Sequence, residues 1–315
     1  MRLQKVFAVV NDDVFKCSVW NLSTLHAKYQ SKLRGETAMV VSDSIGDYCI
    51  INHETKMIDE LNLIKADKIV YEVVRIVNRI PLFLEEHLLR LEKSFSLMCT
   101  RFIYDLEVIR ADIEKLISVQ KLENCNVKIV ATVVDSCQVV AMYLSEFYYP
   151  KIEEYSKGVF VSLFNIERDD PNIKKINTDY IDAIHKRLIE TKAFEILLVN
   201  SSNEILEGSK SNIFFVKGEK VFTAPDDLVL KGITRSLVIN ICSELGIDLV
   251  MKALPVSELS NIEAAFLTGT SIKVLPISKI DNYNFLSASN KIVVDIMEKY
   301  DELINNCLMK KALLT

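Results

Sequence analysis

The sequence of 315 residues contains no apolar stretch that approaches the ~18 residues of a membrane-spanning helix. A short apolar patch at Val6–Val10 is interrupted by the polar residues Asn11 to Asp13, so we expect no secretory signal peptide there. The seven cysteines are an odd number without paired spacing, which predicts neither a disulfide framework nor a metal site and is typical of a reducing compartment. We therefore expect a cytoplasmic protein that binds no metal and no membrane.

The sequence also lacks an excess of positively charged residues. The 38 lysines and arginines are outnumbered by 43 acidic residues, and the net charge of −5 leaves no electrostatic footprint for nucleic acid. Half of the residues are hydrophobic, which excludes general disorder. Because domains usually contain about 100–200 residues, a chain of this length predicts two of them. The composition indicates a metabolic enzyme.

Hydrophobic periodicity predicts a small α/β domain at residues 46–150. The strand Val70–Val77 is followed by a helix at Glu85–Met98, whose apolar side chains recur at helical spacing. A second helix at Leu106–Gln120 leads to a hairpin that ends the domain. Pro150 interrupts both periodicities, because proline lacks a backbone donor and restricts the residue before it, so we place a domain linker there. Residues 1–45 have a weak pattern and are interpreted as an N-terminal extension of unknown role.

A larger domain is predicted at residues 151–315. Its centre is a buried-type strand at Phe194–Val199, followed by Glu207 among small polar residues and then by an alternating hairpin. Gly232 and Thr234 stand where an amphipathic helix begins, and the free N–H groups at such a helix start can bind a phosphate. One carboxylate and one phosphate site on a rigid sheet indicate a phosphorylated cofactor.

Several motifs resemble the class IV aminotransferases, the fold type IV enzymes that use pyridoxal 5′-phosphate (PLP). This family includes branched-chain aminotransferases, D-amino-acid aminotransferases and aminodeoxychorismate lyase. The resemblance rests on YEVVRIVNRIPLFLEEHLLRLEKS, NIKKINTDY, EGSKSNIFF, LKGITR and FLTGTSIKVLPI, which follow the family's order over roughly residues 46–281. It implies a small α/β domain, a larger barrel-like domain with PLP at their boundary, and a homodimer whose subunits share pockets.

PLP chemistry requires a lysine that forms an imine with the cofactor, a carboxylate that keeps the pyridine nitrogen protonated, and a holder for the phosphate. Lys174 and Lys175 are adjacent, and in an extended segment they point to opposite faces, so only one can reach a shared cofactor. The spacing to Asn177 resembles the D-amino-acid branch and assigns Lys174 as the catalytic lysine, with Lys175 as the alternative. The pKa of the catalytic lysine must lie below the ~10.4 of a free lysine to supply a neutral amine.

The resemblance also implies the remaining site residues. Glu207 pairs with the pyridine nitrogen, and two first-domain residues on one face of a strand border the substrate, namely Tyr71 and Arg75. His87 is interpreted as a packed structural histidine. The residues expected to bind the phosphate are Arg90, Ile233, Thr234, Thr270 and Ser271.

The expected reaction moves an amino group between an amino acid, with branched-chain amino acids among the candidates, and a 2-oxo acid. The first domain lacks the Arg-x-His pair of the D-amino-acid enzymes, which argues against D-amino-acid specificity, and also lacks the glycine and arginine signatures of bacterial branched-chain enzymes. The substrate therefore stays open. Two alternatives remain, a lyase of the aminodeoxychorismate type and a non-catalytic relative that binds PLP.

Overall fold

The structure is a computed structural model that describes residues 43–61, 64, 66, 68–98 and 101–312, with only the backbone of 310–312. The apolar patch Val6–Val10 and nearly all of the predicted extension at 1–45 lie outside the described residues. Within the described ranges, no helix is long and apolar enough to cross a membrane.

The first part of the chain forms a six-stranded antiparallel sheet in the order β2-β1-β6-β5-β3-β4. Hydrophobic alternation on β3 buries every second residue, as expected for a strand that separates a core from a second environment. The strands are β1 Ser44–Ile51, β2 Glu54–Met57, β3 Val70–Val77, β4 Ile80–Pro81, β5 Cys125–Val134 and β6 Cys137–Ser145.

Helices pack on this sheet, two long ones on one face and a single turn on the other. They are α1 Ile58–Leu61, a single turn, α2 Leu84–Met98 and α3 Leu106–Gln120. The apolar stripes of α2 and α3 are buried against Val74 and Ile129 in one core. Asp105 caps α3 by accepting hydrogen bonds from two backbone N–H groups, which explains why this helix begins at the predicted residue.

The second part of the chain forms a mixed ten-stranded sheet, in the order β12-β11-β10-β14-β15-β7-β8-β9-β13 with β16 beside β15. Its strands are β7 Val159–Asn165, β8 Glu195–Val199, β9 Glu204–Gly208, β10 Asn212–Lys217, β11 Lys220–Thr223, β12 Asp248–Met251, β13 Leu254–Pro255, β14 Ala264–Gly269, β15 Lys273–Ile280 and β16 Tyr283–Asn284. Strand β8 is buried along its whole length, as its continuous apolar run predicts.

Four α-helices accompany this sheet in the described part of the chain: α4 Ile152–Lys157, α5 Thr178–Thr191, α6 Ile233–Glu244 and α7 Lys291–Ala312. Helices α6 and α7 pack on β10 and β14, where Phe214 and Phe266 stack with ring centres 5.0 Å apart. Gly246, which follows the end of α6, has φ +68°, a conformation that glycine adopts at little cost.

The two sheets meet at two places. The segment before α5 pairs with the start of β3, because Lys175 forms a β-bridge with Val70 and the N–H of Ile176 donates to Ile69 at 3.3 Å. Leu82, which follows β4, is buried in the same core as the aromatic pair of β10 and β14. Side chains from both sheets therefore line the space between them.

Candidate active site

Lys174 lies where the two sheets meet. Its carbonyl accepts a hydrogen bond from the N–H of Tyr71 at 3.0 Å, and its Nζ lies 5.1 Å from the centre of the Tyr71 ring. Burial is the main cause that lowers the pKa of its ammonium group, and the positive charges of Arg90 and Arg168 lower it further. The site therefore favours the neutral amine more than water does.

Lys175 points elsewhere. Its Nζ forms an ion pair of 2.7 Å with Asp170, whose side chain is mostly exposed. The two lysines thus diverge as expected for neighbours in an extended segment. Of these two neighbours, Lys174 is the one whose Nζ lies near the Tyr71 ring and whose pKa is lowered by Arg90 and Arg168.

Glu207 lies on β9 and is buried. Its Oε1 accepts a hydrogen bond from Arg168 Nη1 at 3.2 Å, and its Oε2 accepts from Asn212 Nδ2 at 3.2 Å and from the N–H of Leu230 at 3.1 Å. Burial raises the pKa of this carboxyl to about 7, against the charge of Arg168 and the Leu230 hydrogen bond. The charge of Lys174 also lowers this pKa, so both groups act at one site.

Arg168 and Asn212 are site residues that the sequence analysis missed. Asn212 stands inside the EGSKSN motif, and its amide also donates to the carbonyl of Leu230 at 2.9 Å, so the motif itself could have indicated it. Arg168 lies in an aperiodic loop, RDDP, and its guanidinium stands 6.0 Å from the centre of the Tyr180 ring. The sequence carried no signal for its pairing with Glu207.

Arg90 is held by a buried carboxylate. Its Nε and Nη2 donate to the two oxygens of Glu72 at 2.7 and 2.6 Å, and its Nη1 donates to the carbonyl of Lys231 at 3.0 Å. Burial and the ion pair with Arg90 act in opposite directions on Glu72, and the pair prevails, lowering the carboxyl pKa to about 2. Arg90 therefore reaches the segment that leads into α6.

His87 is buried and contacts the same carboxylate, with Nδ1 2.7 Å from Glu72 Oε2. Burial lowers the pKa of this imidazole, so the neutral ring donates its Nδ1 hydrogen to the carboxylate. The position agrees with the packed histidine expected from the sequence.

Helix α6 begins at Ile233, with Gly232 as its N-cap, and no side chain caps its first N–H groups. A Cβ atom at Gly232 would lie 2.1 Å from Asn212 Oδ1, so this close approach requires glycine. Thr234 Oγ1 lies 3.4 Å from the hydroxyl of Tyr300. The N-terminal end of α6 thus offers open donors to an anion.

A small cleft lies beside this helix start. Ile233 and Thr234 line it together with Thr270 from the loop after β14. Two polar side chains of the first part of the chain also line it, namely Arg75 from β3 and His87 from α2. The structure therefore brings four of the predicted site residues to one cleft.

Ser271 follows Thr270 and contacts the six-stranded sheet. Its carbonyl accepts from Arg75 Nη1 at 3.3 Å, and its Oγ accepts from Asn126 Nδ2 at 2.6 Å. Tyr71 and Arg75 lie on the same face of β3, as their even spacing predicted, and Tyr71 is near Lys174 while Arg75 is near Ser271. One strand face thus spans both parts of the site.

These residues fit PLP by their chemistry. The buried carboxyl of Glu207 suits a cationic ring nitrogen, the amine of Lys174 with its lowered pKa suits an aldehyde, and the N–H groups at the start of α6, which no side chain caps, suit a phosphate. Among the described residues, no group of His, Cys, Asp and Glu could hold a metal ion.

Solved structures share this architecture. The branched-chain amino acid aminotransferase of Escherichia coli superposes with a TM-score of 0.70 and 19% identity, covering 82% of this chain and 94% of that one. A putative branched-chain aminotransferase of Thermotoga maritima gives 0.70 and 23%, covering 82% and 96%. A third branched-chain amino acid aminotransferase, complexed with N-(5′-phosphopyridoxyl)-L-glutamate, gives 0.70 and 20%, covering 81% and 93%. The predicted fold, that of the type IV PLP enzymes, is confirmed.

Relatives among characterised proteins match over a shorter part of the chain. D-alanine aminotransferase of Bacillus licheniformis is 27% identical over 190 residues, 57% of this chain and 67% of that protein. A probable branched-chain-amino-acid aminotransferase of Thermotoga maritima is 29% identical over 187 residues, 56% of this chain and 64% of that protein. The matches thus span about two thirds of each relative.

A family model described as amino-transferase class IV matches residues 69–280. The chain therefore belongs to the class IV aminotransferase family, whose members use PLP, and the relatives and solved structures described above are named as aminotransferases. The resemblance inferred from the motifs is confirmed.

Proposed function

We propose that this protein is a PLP-dependent aminotransferase that moves an amino group between an amino acid and a 2-oxo acid. The observation that carries the proposal is the convergence of Lys174, with its lowered pKa, and the buried Glu207, which accepts a hydrogen bond from the N–H of Leu230, three residues before α6. PLP, when bound, supplies an aldehyde that condenses with amines and a ring that accepts electrons.

Lys174 is proposed to hold the cofactor and to move the proton of the substrate carbon. Its neutral amine can act as nucleophile and as base, because desolvation and two neighbouring cations lower the pKa of the ammonium form. The Tyr71 ring, 5.1 Å from Nζ, limits the space in which the amine moves. Lys175, paired with Asp170, stays outside this chemistry.

Glu207 is proposed to keep the pyridine nitrogen protonated. Its Oε2 is fixed by Asn212 and Leu230, and its Oε1 faces Arg168. A ring cation next to this buried carboxyl would lower its pKa and thereby stabilise the charged pair. Arg168 would balance the charge of Glu207 whenever the nitrogen is absent.

The phosphate is proposed to lie at the start of α6. Ile233 and Thr234 would donate backbone N–H groups, and Thr270 and Ser271 would add donors from the facing loop. Arg90 would contribute charge from the side of Lys231, held in place by Glu72. Arg75 and Tyr71 are proposed to border the substrate.

Absorbance of the purified protein with added PLP tests the proposal. The expected result is a visible band that borohydride abolishes, absent in Lys174→Ala and retained in Lys175→Ala. A protein that stays colourless with PLP would refute the enzyme hypothesis, and loss of the band in Lys175→Ala alone would reverse the choice of lysine. A half-reaction screen of amino acids then identifies the donor; pyruvate formed without any acceptor would indicate a lyase.

The domain limits and assembly belong to the same proposal. The strands of the two sheets fall on opposite sides of Pro150, which supports domains at residues 46–150 and 151–315. The proposed state is a cytoplasmic homodimer that binds no nucleic acid. Sedimentation equilibrium of the purified protein measures the assembly, and a monomer would contradict it.

A further inference from the structure

Ser271 is the end of a chain of hydrogen bonds that starts outside both sheets. Tyr149, in the linker after β6, donates its hydroxyl to Asn126 Oδ1 at 3.0 Å, and Asn126 Nδ2 donates to Ser271 Oγ at 2.6 Å. Asn126 is buried, with 2% of its surface exposed. The three groups point their hydrogens in one direction, from the linker towards the loop after β14.

The orientation of the Asn126 amide gives the chain its direction. Its oxygen accepts from the Tyr149 hydroxyl, and its NH₂ group donates to Ser271 Oγ. Burial raises the pKa of Tyr149 to about 12, so its hydroxyl keeps its hydrogen at neutral pH. Ser271 Oγ therefore accepts a hydrogen bond, and its own hydrogen is left to donate.

No acceptor for that hydrogen occurs among the described residues, where Asn126 is the sole partner of Ser271 Oγ. A serine hydroxyl that already accepts is a better donor, because neighbouring hydrogen bonds polarise one another. The adjacent residue Thr270 lines the cleft at the start of α6. An anion in that cleft would supply the missing acceptor.

Arg75 contacts both Ser271 and Tyr149, the two ends of this chain of hydrogen bonds. It is the direct cross-strand neighbour of Asn126 on β3 and β5, its Nη1 donates to the Ser271 carbonyl at 3.3 Å, and its guanidinium lies 4.1 Å from the centre of the Tyr149 ring. The carbonyl and the hydroxyl of Ser271 therefore both contact residues of the six-stranded sheet. The aromatic contact uses the ring of Tyr149, and Arg75 also acts on the hydroxyl, whose pKa it lowers against the effect of burial.

We propose that Tyr149 and Asn126 are positioning residues that set the Ser271 hydroxyl as a donor to an anionic oxygen bound in the cleft. The inference rests on the proposed function, which brings two such anions to this place, the cofactor phosphate and the substrate carboxylate. It assigns a role to two residues that belong to neither the lysine segment nor the α6 helix.

A double-mutant cycle on Tyr149→Phe and Ser271→Ala tests the proposal. Dissociation constants are measured for PLP and for pyridoxal, which lacks the phosphate, and for inorganic phosphate and propionate on the PLP-free protein. Ser271→Ala should weaken binding of the anion about tenfold, as loss of a hydrogen bond to a charged group does, and Tyr149→Phe about threefold. The double variant should be no weaker than Ser271→Ala alone.

The ligands distinguish the two anions. A loss confined to PLP and inorganic phosphate assigns the hydroxyl to the phosphate, and a loss confined to propionate assigns it to the carboxylate. Tyr104→Phe, which removes a hydroxyl that donates to Asn52, is the matched control and should change neither.

Additive effects of the two substitutions, equal losses for PLP and pyridoxal without a change for propionate, or no effect on any ligand would overturn the proposal. Wild-type protein that binds phosphate or propionate but forms no band with PLP would instead contradict the proposed function. The role of the hydrogen-bond chain would then be decided by the binding of phosphate and propionate to the variants. Wild-type protein that binds none of the four ligands would refute both.

Discussion

Arg168 is the residue that connects the two titratable groups of the proposed chemistry. Its guanidinium donates to Glu207 at 3.2 Å and its charge lowers the pKa of Lys174. At effective dielectric constants of about 20, such charges act over several ångströms, so one side chain influences both groups.

Removing this charge should move the titration of Lys174. In Arg168→Gln the ammonium group loses a repulsive neighbour, so the pKa of Lys174 should rise. When PLP is added to the PLP-free variant, the rate at which the visible band forms should reach half its maximum at a higher pH than in the wild type. Arg187→Gln, which removes a guanidinium bonded to Ser162 and to the carbonyl of Leu163, is the control. An unchanged or lower midpoint would contradict the prediction.

Glu207 should make the stability of the PLP-free protein depend on pH. Its folded pKa of about 7 exceeds the ordinary 4.5, so between these values the folded state binds more protons than the unfolded state. The free energy of unfolding of the wild type should therefore fall, relative to Glu207→Gln, as pH rises from 5 to 7, by up to about 1.4 kcal/mol per pH unit. Denaturant titrations of both proteins measure the difference. A relative gain in stability with pH would contradict the prediction.

At the residue scale, a motif predicts a side chain when the chemistry is carried by local sequence. Lys174 and Glu207 were assigned from NIKKINTDY and EGSKSN, and these assignments stay predictions until the variants are measured. Arg168 and Asn126 were missed, because they reach the site through tertiary contacts that no spacing in the sequence records.

At the scale of the elements, the turn of the β5–β6 hairpin has an unfavourable backbone conformation. Its turn residues Asp135 and Ser136 have φ of +48° and +64°, the left-handed conformation that favours Asn, Asp or Gly first and Gly second. For non-glycine residues other than Asn and Asp, this conformation costs about 1 kcal/mol.

Ser136→Gly should relieve this cost and raise the free energy of unfolding by about 0.5–1 kcal/mol. Chemical denaturation monitored by far-UV circular dichroism measures the change. Asp135→Gly, at the position where Asp is well tolerated, should gain less. A loss of stability in Ser136→Gly would show that the serine side chain is needed in the turn.

Element limits were predictable where the pattern was strong. Val70–Val77, Leu106–Gln120 and Lys220–Thr223 match the residues read from periodicity and turn signals. Strand β9, Glu204–Gly208, was not predicted, because its residues EILEG lack alternation and its strand form depends on pairing with β8 and β13. Helix α4 was missed since it follows Pro150 directly and is short.

At the scale of the whole molecule, Leu82 joins the two parts of the chain. It follows β4 of the six-stranded sheet, is 3% exposed, and packs in the core that α6 and α7 form on the other sheet. Leu82 also lines the cleft at the start of α6.

Leu82→Ala should lower the free energy of unfolding by about 2–5 kcal/mol, since a buried leucine leaves a cavity. The same variant should weaken PLP binding, because the cleft loses part of its wall. Thermal denaturation and PLP titration measure both effects. Leu286→Ala, whose parent side chain is 81% exposed, is the control and should change stability by less than about 0.5 kcal/mol. Equal effects of the two substitutions would contradict the role of Leu82.

The architecture as a whole was predictable because strands, helices and motifs follow the family's order. The contact between the sheets was not, because it depends on single residues far apart in the chain, such as Arg75 with Ser271 and Tyr71 with Lys174.

The backbone pairing of the lysine segment with β3 has a mechanical consequence. The N–H of Tyr71 holds the carbonyl of Lys174, and Val70 bridges Lys175, so the segment is tethered as an extra edge to a sheet on the far side of the pocket. A displacement of that sheet would therefore move the main chain of Lys174 directly. An attached coenzyme would then act as a crosslink that braces both halves of the protein.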